Sequence, residues 1–230
     1  MKRLLIIFSI MLILITILIG EVNAIPTFGT LMPKKNSYQA GGRADFIFER
    51  DVKDHESAKT ATYTYTLSYG FSDWFAFDGL IGWGDVRSEH TGRKALRYPF
   101  NFAGGYGWRA KIYENDKHKI DWVWGFQHVS IHPTKQWYAG KKYGTIWDEW
   151  QFSTVFSKKV GILAPYCGIK WSFIYLINTV DGDRRRRISN GSPVGLVVGA
   201  DMHINDYLYL NSEGRFFDET GFNTGITVRY

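Results

Sequence analysis

The chain has 230 residues, a formal net charge of +6 and an aromatic content of 17%. Its single cysteine, Cys167, excludes an intrachain disulfide and a multi-cysteine zinc site, and its distance from the N-terminus excludes a lipoprotein anchor. The glycines do not have the spacing of a phosphate-binding or dinucleotide-binding loop, and His and Cys are not clustered. The sequence therefore predicts no metal and no organic cofactor.

Residues 1–24 have the organisation of a secretory signal peptide. Two basic residues precede an apolar run from Leu4 to Ile19, and small residues ending at Ala24 occupy the positions that a signal peptidase reads. The alternative is an uncleaved membrane helix, but the run is short for a span of about 20 residues. We expect a mature domain of residues 25–230 with a net charge of +5, because cleavage removes two basic residues and one acidic residue.

From residue 38 to the C-terminus, aromatic and polar residues alternate, which predicts β-strands with one apolar and one polar face. The predicted strands cover residues 38–50, 61–71, 74–85, 99–112, 119–131, 146–156, 160–176, 192–204, 207–216 and 220–230. Since this part of the chain has no apolar run long enough for a spanning helix, a membrane location requires a closed barrel in which neighbouring strands satisfy all backbone groups.

The lengths of the connections support a barrel. The odd-numbered connections span residues 51–60, 86–98, 132–145, 177–191 and 217–219, whereas the even-numbered connections span 72–73, 113–118, 157–159 and 205–206. Outer-membrane barrels pair short periplasmic turns with longer external loops. The sequence therefore predicts an all-β, closed antiparallel transmembrane barrel of about ten strands, with both termini in the periplasm.

Several pieces of the carboxyl-terminal half carry a resemblance to a known family. The segments Trp147–Gln151 (WDEWQ), Pro165–Gly168 (PYCG) and Asn211–Phe216 (NSEGRF), together with the closing Tyr230, resemble small porin-like outer-membrane β-barrel proteins. The resemblance implies residence in the cell outer membrane of a Gram-negative-type envelope and assembly by the barrel-assembly machinery, which reads a terminal aromatic strand. It implies no enzymatic activity.

Strand parity assigns thirteen charged residues to the lumen. They are Arg43, Asp45, Glu49, Asp78, Arg109, Lys111, Asp121, Glu149, Lys170, Asp201, Glu213, Arg215 and Arg229. Six are basic and seven are acidic, whereas a selective pore tends to carry an excess of one sign. Balanced charges inside a narrow barrel are expected to pair across it. We therefore expect a lumen largely filled by paired charges and a structural or interaction role, with at most weak passage of small solutes.

Two constellations raise an enzymatic alternative. His128 and Ser130 lie on the outward face of the fifth strand, and a loop centred near residue 139 sets Ser130 opposite Asp148. These three residues could activate a nucleophile, and their lipid-facing position resembles that of lipid A deacylases, which implies a membrane-embedded esterase. Asp201 and His203 resemble the Asp/His pair of omptin proteases, but they are predicted at the periplasmic end, which argues against a protease.

Basic residues gather in the predicted external loops. They are Arg93, Lys94, Arg97, Lys141, Lys142, Arg184, Arg185, Arg186 and Arg187. Guanidinium groups bind phosphate bidentately, so we expect contacts with lipopolysaccharide and other outer-membrane lipids; the alternative is that these are solvated loop charges. A four-arginine run could also bind nucleic acid, but export makes nucleic acid an unexpected partner.

Overall fold

The computed structural model describes residues 27–53, 56–89 and 95–230, without the side chains of residues 56 and 183–185. This part of the chain forms thirteen strands, which are β1 (Tyr38–Val52), β2 (Glu56–Ser72), β3 (Phe75–Glu89), β4 (Leu96–Asn115), β5 (Ile120–Ile131), β6 (Gln136–Tyr138), β7 (Lys141–Gly144), β8 (Trp147–Lys158), β9 (Leu163–Val180), β10 (Asp183–Ser189), β11 (Val194–His203), β12 (Leu208–Phe216) and β13 (Thr220–Arg229). No helix in the described ranges is long and apolar enough to cross a membrane.

Ten of these strands close into a ring. The order is β1, β2, β3, β4, β5, β8, β9, β11, β12 and β13, and β13 pairs with β1 to complete it. All of these pairings are antiparallel. The short strands β6, β7 and β10 lie in the connections and extend the sheet above β9. The predicted fold, a closed antiparallel barrel of ten strands, is confirmed.

The two ends of the barrel differ. At the end that we call the short-turn end, the connections β2–β3, β4–β5, β8–β9 and β11–β12 are brief; the opposite end is the long-loop end. Several strands run further towards the long-loop end than predicted: β2 begins at Glu56 rather than at residue 61, and β9 ends at Val180 rather than at residue 176. At this end the strands are still hydrogen-bonded to their neighbours, but apolar and polar residues no longer alternate along them. The predicted strands were therefore too short, because alternation was the signal used to identify them.

A register shift corrects one predicted lumen residue. Parity placed Glu49 inside the barrel, but β1 is irregular between Ile47 and Arg50. Phe48 and Glu49 are both exposed, whereas Arg50 is completely buried. Because an extra residue in one strand reverses the facing of every later residue, Arg50 takes the lumen position that the sequence assigned to Glu49.

The lumen near the long-loop end is apolar. Twelve buried residues pack there, and the largest is Trp147, which has no exposed surface. They are Ile47, Val52, Ala58, Val86, Tyr98, Ala103, Val129, Ile131, Trp147, Ile174, Leu176 and Ile188. The sequence analysis expected a polar lumen and did not anticipate this layer. Below it, towards the short-turn end, the lumen is polar and charged.

Candidate functional site: the filled lumen and its N-terminal segment

The lowest charged layer is an arginine–aspartate pair. Arg109 donates from Nε and Nη2 to the two carboxylate oxygens of Asp78, at 2.8 Å each, and both side chains are buried. Ser68 donates a further hydrogen bond to Asp78 at 2.5 Å. A bidentate pair of this kind has the geometry that favours guanidinium over ammonium. The contacts join the neighbouring strands β2, β3 and β4 on the inner side of the barrel wall.

The N-terminal segment, residues 27–33, enters the lumen from the short-turn end. Arg109 donates to the carbonyl oxygens of Phe28 and Leu31, at 3.1 and 2.8 Å. The guanidinium of Arg43 lies 4.2 Å from the centre of the Phe28 ring, in a cation–π contact. Thr27, Phe28 and Thr30 are almost completely buried. The segment therefore fills the lower and middle lumen as part of the packed interior.

A turn in this segment depends on glycine. Gly29 has a φ of +63°, and a Cβ at that position would lie 2.8 Å from Oδ2 of Asp201. Glycine tolerates a left-handed conformation without steric cost. The close approach lets the segment pass beside the buried Asp201, which accepts a hydrogen bond from Asn211 at 2.7 Å.

Glu213 holds the end of the segment. Its carboxylate accepts from the Thr27 amide at 2.9 Å, from the Thr27 hydroxyl at 2.6 Å and from the Tyr166 hydroxyl at 3.0 Å. Asn211 donates to the same tyrosine oxygen at 3.0 Å. All of these groups are buried. The result is one hydrogen-bonded network that connects the N-terminal segment with β9 and β12.

A second charged cluster lies nearer the long-loop end. Arg50 contacts Asp218 at 3.0 Å and Glu149 at 3.5 Å, and Lys170 contacts Asp218 at 2.9 Å. Glu219 contacts both cations as well. None of these side chains is exposed. The two cations therefore offset the charge of two of the three carboxylates, in a cluster that adjoins the apolar layer, since Arg50 pairs with Ala58 and Glu149 with Val129.

The predicted lumen residues fall into three groups. Those buried in the interior are Arg43, Asp45, Asp78, Arg109, Glu149, Lys170, Asp201, Glu213 and Arg215. Lys111, Asp121 and Arg229 are half-buried and line a cavity of about 560 Å³ at the short-turn mouth. Glu49 is outside. Within the interior, Nη2 of Arg215 lies 2.5 Å from Oδ1 of Asp45.

Sequence reasoning missed three charged residues of the lumen. Arg50 was hidden by the register shift, for which the sequence carries no signal. Asp218 and Glu219 belong to the three-residue connection between β12 and β13, and their side chains are buried. The available signal was that this connection is short, whereas the other four odd-numbered connections are long. A short loop at the rim can turn its side chains into the lumen, whereas a long one extends away from it.

Little open space remains in the middle of the lumen. A cavity of about 20 Å³ lies beside Phe28, Arg43 and Asp45. A site needs roughly 10–15 Å³ of this measure to hold one water molecule. Among the described residues, this cavity therefore has room for about one water molecule.

The predicted nucleophile does not assemble on the outer wall. Ser130 pairs with Asp148 in the register of β5 and β8, as the loop symmetry indicated. The Ser130 hydroxyl, however, lies 2.9 Å from Nε2 of His132. Nδ1 of His128 lies 3.1 Å from the carbonyl oxygen of Glu149 and 3.6 Å from Oδ1 of Asp148. The structure thus gives two separate pairs, and His128 makes no hydrogen bond with Ser130.

The external basic residues are spread over several loops. Arg93 and Lys94 lie outside the described residues, as do the side chains of Arg184 and Arg185. Arg97, Lys141, Lys142, Arg186 and Arg187 are exposed. Arg97 lies on β4, the two lysines on β7 and the two arginines on β10. Both β7 and β10 pair with the end of β9, whereas β4 pairs with β3 and β5.

Comparison with known proteins gives structural neighbours alone. No protein-family model and no curated protein matches the chain. The transport unit of the autotransporter AIDA-I from Escherichia coli is 11% identical, with 86% of this chain and 90% of that chain covered and a TM-score of 0.43. The β domain of the Bordetella autotransporter BrkA is 8% identical, with 86% and 99% covered and a TM-score of 0.45. An outer membrane channel from Pseudomonas putida is 10% identical, with 92% and 98% covered and a TM-score of 0.43.

Proposed function

We propose that the protein is an outer-membrane β-barrel that is closed by its own interior and acts as a structural or interaction element of the membrane. The filled lumen is the observation that carries this proposal. Three layers close it: the Arg109–Asp78 pair with the N-terminal segment, the Arg50–Lys170 cluster and the apolar layer around Trp147. A pore needs a continuous wet path, and these groups pack together inside the described barrel between its two ends.

The outer wall supports a membrane location. Large apolar side chains are exposed around the barrel, among them Tyr65, Phe71, Ile81, Trp83 and Trp171. Soluble monomeric proteins rarely expose a contiguous apolar patch of more than a few hundred Å². In a barrel whose lumen is filled, such a belt is stable only where lipid covers it. The short-turn end then faces the periplasm and the long-loop end faces outward.

The N-terminal segment supports removal of the signal peptide after Ala24. Thr27 is 1% exposed and lies in the middle of the lumen, bound to Glu213. Cleavage after Ala24 leaves two residues before Thr27, whereas the uncleaved chain would carry an apolar run of sixteen residues, Leu4 to Ile19, just before this narrow interior. We propose that export, cleavage and insertion by the barrel-assembly machinery precede closure of the lumen.

Conductance of the mature protein in planar bilayers tests the closed barrel. We expect no stable single-channel steps, because the described interior leaves a cavity of about 20 Å³ at its middle. Fractionation with outer membranes, an N-terminus at Ile25 by mass spectrometry and heat-modifiable migration on gels test the location. Large, stable current steps from a heat-modifiable sample would show that the lumen conducts and would overturn the proposal.

A further inference from the structure

Three basic side chains form a row on the outer wall at the long-loop end. Lys59 on β2 pairs with Arg87 on β3, and Arg87 pairs with Arg97 on β4. The residues next to each of them along the strand are buried in the lumen or packed against its apolar layer, so the three basic side chains point away from it. Like charges directly opposite one another on neighbouring strands are destabilising. The row therefore favours an anion beside it.

The middle cation of the row lacks an acidic partner. Nζ of Lys59 lies 3.1 Å from Glu89, and Nη2 of Arg97 lies 3.5 Å from Asp85. Arg87 makes no hydrogen bond or ion pair with any residue in the described part of the chain. Its guanidinium therefore stands between two other cations with its donors free. A phosphate matches that fork geometrically and neutralises the repulsion.

An aromatic floor lies beside the cations in the same groove. The groove has a volume of about 370 Å³, and Phe46, Phe48, Tyr63 and Phe100 line it together with the three basic residues and Asp85, the partner of Arg97. The four rings form a continuous chain: Phe48 to Phe46 at 6.4 Å, Phe46 to Tyr63 at 5.9 Å and Tyr63 to Phe100 at 5.8 Å between centroids. The groove therefore offers phosphate recognition and an apolar surface side by side.

We propose that this groove binds the phosphate of a phosphorylated lipid of the outer leaflet, of the lipid A type, with Arg87 on the phosphate and an acyl chain along the aromatic floor. The proposal rests on the proposed function, because it needs the long-loop end to lie at the outer leaflet. A free phosphate would use the cations alone, whereas the rings of Phe48, Tyr63 and Phe100 are exposed beside them on the wall that the proposed location turns towards acyl chains. The lipid accounts for both parts of the groove.

Binding of lipid A to the purified mature protein in detergent tests the site. Arg87→Gln keeps a polar side chain of similar length and removes the charge. Lys135→Gln is the control, since Lys135 is an exposed cation at the same end, in the connection between β5 and β6, and does not line the groove. We expect the Kd for bis-phosphorylated lipid A to rise tenfold or more in R87Q and to change less than twofold in K135Q.

Two further arms identify the ligand. Dephosphorylated lipid A is expected to bind the unaltered protein as weakly as lipid A binds R87Q, and millimolar inorganic phosphate is expected to leave lipid A bound. Equal Kd values for R87Q and the unaltered protein overturn the inference, as does an equal loss in K135Q, which would indicate diffuse charge attraction. Full displacement by inorganic phosphate would make the groove a site for free phosphate and would overturn the lipid assignment.

The outcome is separable from that of the proposed function. Heat-modifiable migration of R87Q verifies that the barrel is folded, and an outward side chain without partners is not expected to affect folding. Binding is measured in detergent and does not depend on conductance or on membrane fractionation. Current steps or a wrong fraction would overturn the proposed function, whereas loss of selectivity for Arg87 overturns this inference alone.

Discussion

Glu213 offers the sharpest test of how the N-terminal segment is held. Glu213→Gln preserves shape but removes the charge and converts one accepting oxygen into a donor. The carboxylate accepts three buried hydrogen bonds, two from Thr27 and one from Tyr166. Hydrogen bonds to charged groups contribute about 1.5–3 kcal/mol each. The amide oxygen retains part of this, so we expect the segment to lose about 3 kcal/mol of its binding in the lumen.

Amide hydrogen exchange across residues 27–33 measures that loss. A change of about 3 kcal/mol corresponds to about a 100-fold increase in the population of the released segment, since about 1.4 kcal/mol is a factor of ten. Exchange of these amides should accelerate by a similar factor. The control is Glu114→Gln, an exposed glutamate 2.8 Å from Lys111 near the short turn between β4 and β5. Exposed pairs contribute at most about 1 kcal/mol, so exchange in the segment should not change.

Unchanged exchange in Glu213→Gln would refute this account. It would mean that packing holds the segment, through the Phe28 ring against Arg43 and the carbonyl contacts of Arg109. The heat-modifiable band of the variant verifies that the barrel itself persists. Conductance should stay low in either case, because the cluster around Arg50 and the apolar layer remain in place.

Two further substitution tests follow from the placements above. Arg50→Gln should lower the free energy of unfolding in urea by about 3–5 kcal/mol, because it leaves three buried carboxylates with one cation. Glu49→Gln on the exposed face should change that free energy by less than about 0.5 kcal/mol. Equal effects of the two substitutions would contradict the register shift. In an assay of fatty-acid release from lipid A, neither the unaltered protein nor Ser130→Ala should release fatty acid, because Ser130 and His128 are not hydrogen-bonded. Release that depends on Ser130 would restore the esterase alternative.

The sequence predicted the barrel well because its signal is local. Each of the ten strands carries enough apolar residues at alternate positions to identify it, some of them aromatic in every strand except β11, and the connections alternate in length. The register of β5 against β8 followed from loop symmetry alone, with Ser130 opposite Asp148. Where the alternation is missing, as between Glu56 and Thr60 in β2, the predicted strand began too late.

The closing elements were not predictable because their signal is not local. Thr27 and Glu213 are 186 positions apart, and nothing in residues 27–33 distinguishes a buried segment from a linker. The burial of Asp218 depends on Arg50 and Lys170, which lie on two other strands. Arg50 itself reaches the lumen because β1 is irregular, and that irregularity appears only when β1 is paired with β2 and β13.

The polar part of the lumen determines which face of β1 is inward. A one-residue slip there would carry Arg43 and Asp45 into the lipid, and a basic residue at the bilayer midplane costs about 2–4 kcal/mol. The same slip nearer the long-loop end would exchange Ile47 for Phe48, which are both apolar, so polarity does not oppose it. The irregularity of β1 falls in that second region, between Ile47 and Arg50. Alternation is therefore kept at Arg43 and Asp45, and β1 departs from it beyond Ile47, a departure that brings Arg50 to the buried carboxylates of the lumen.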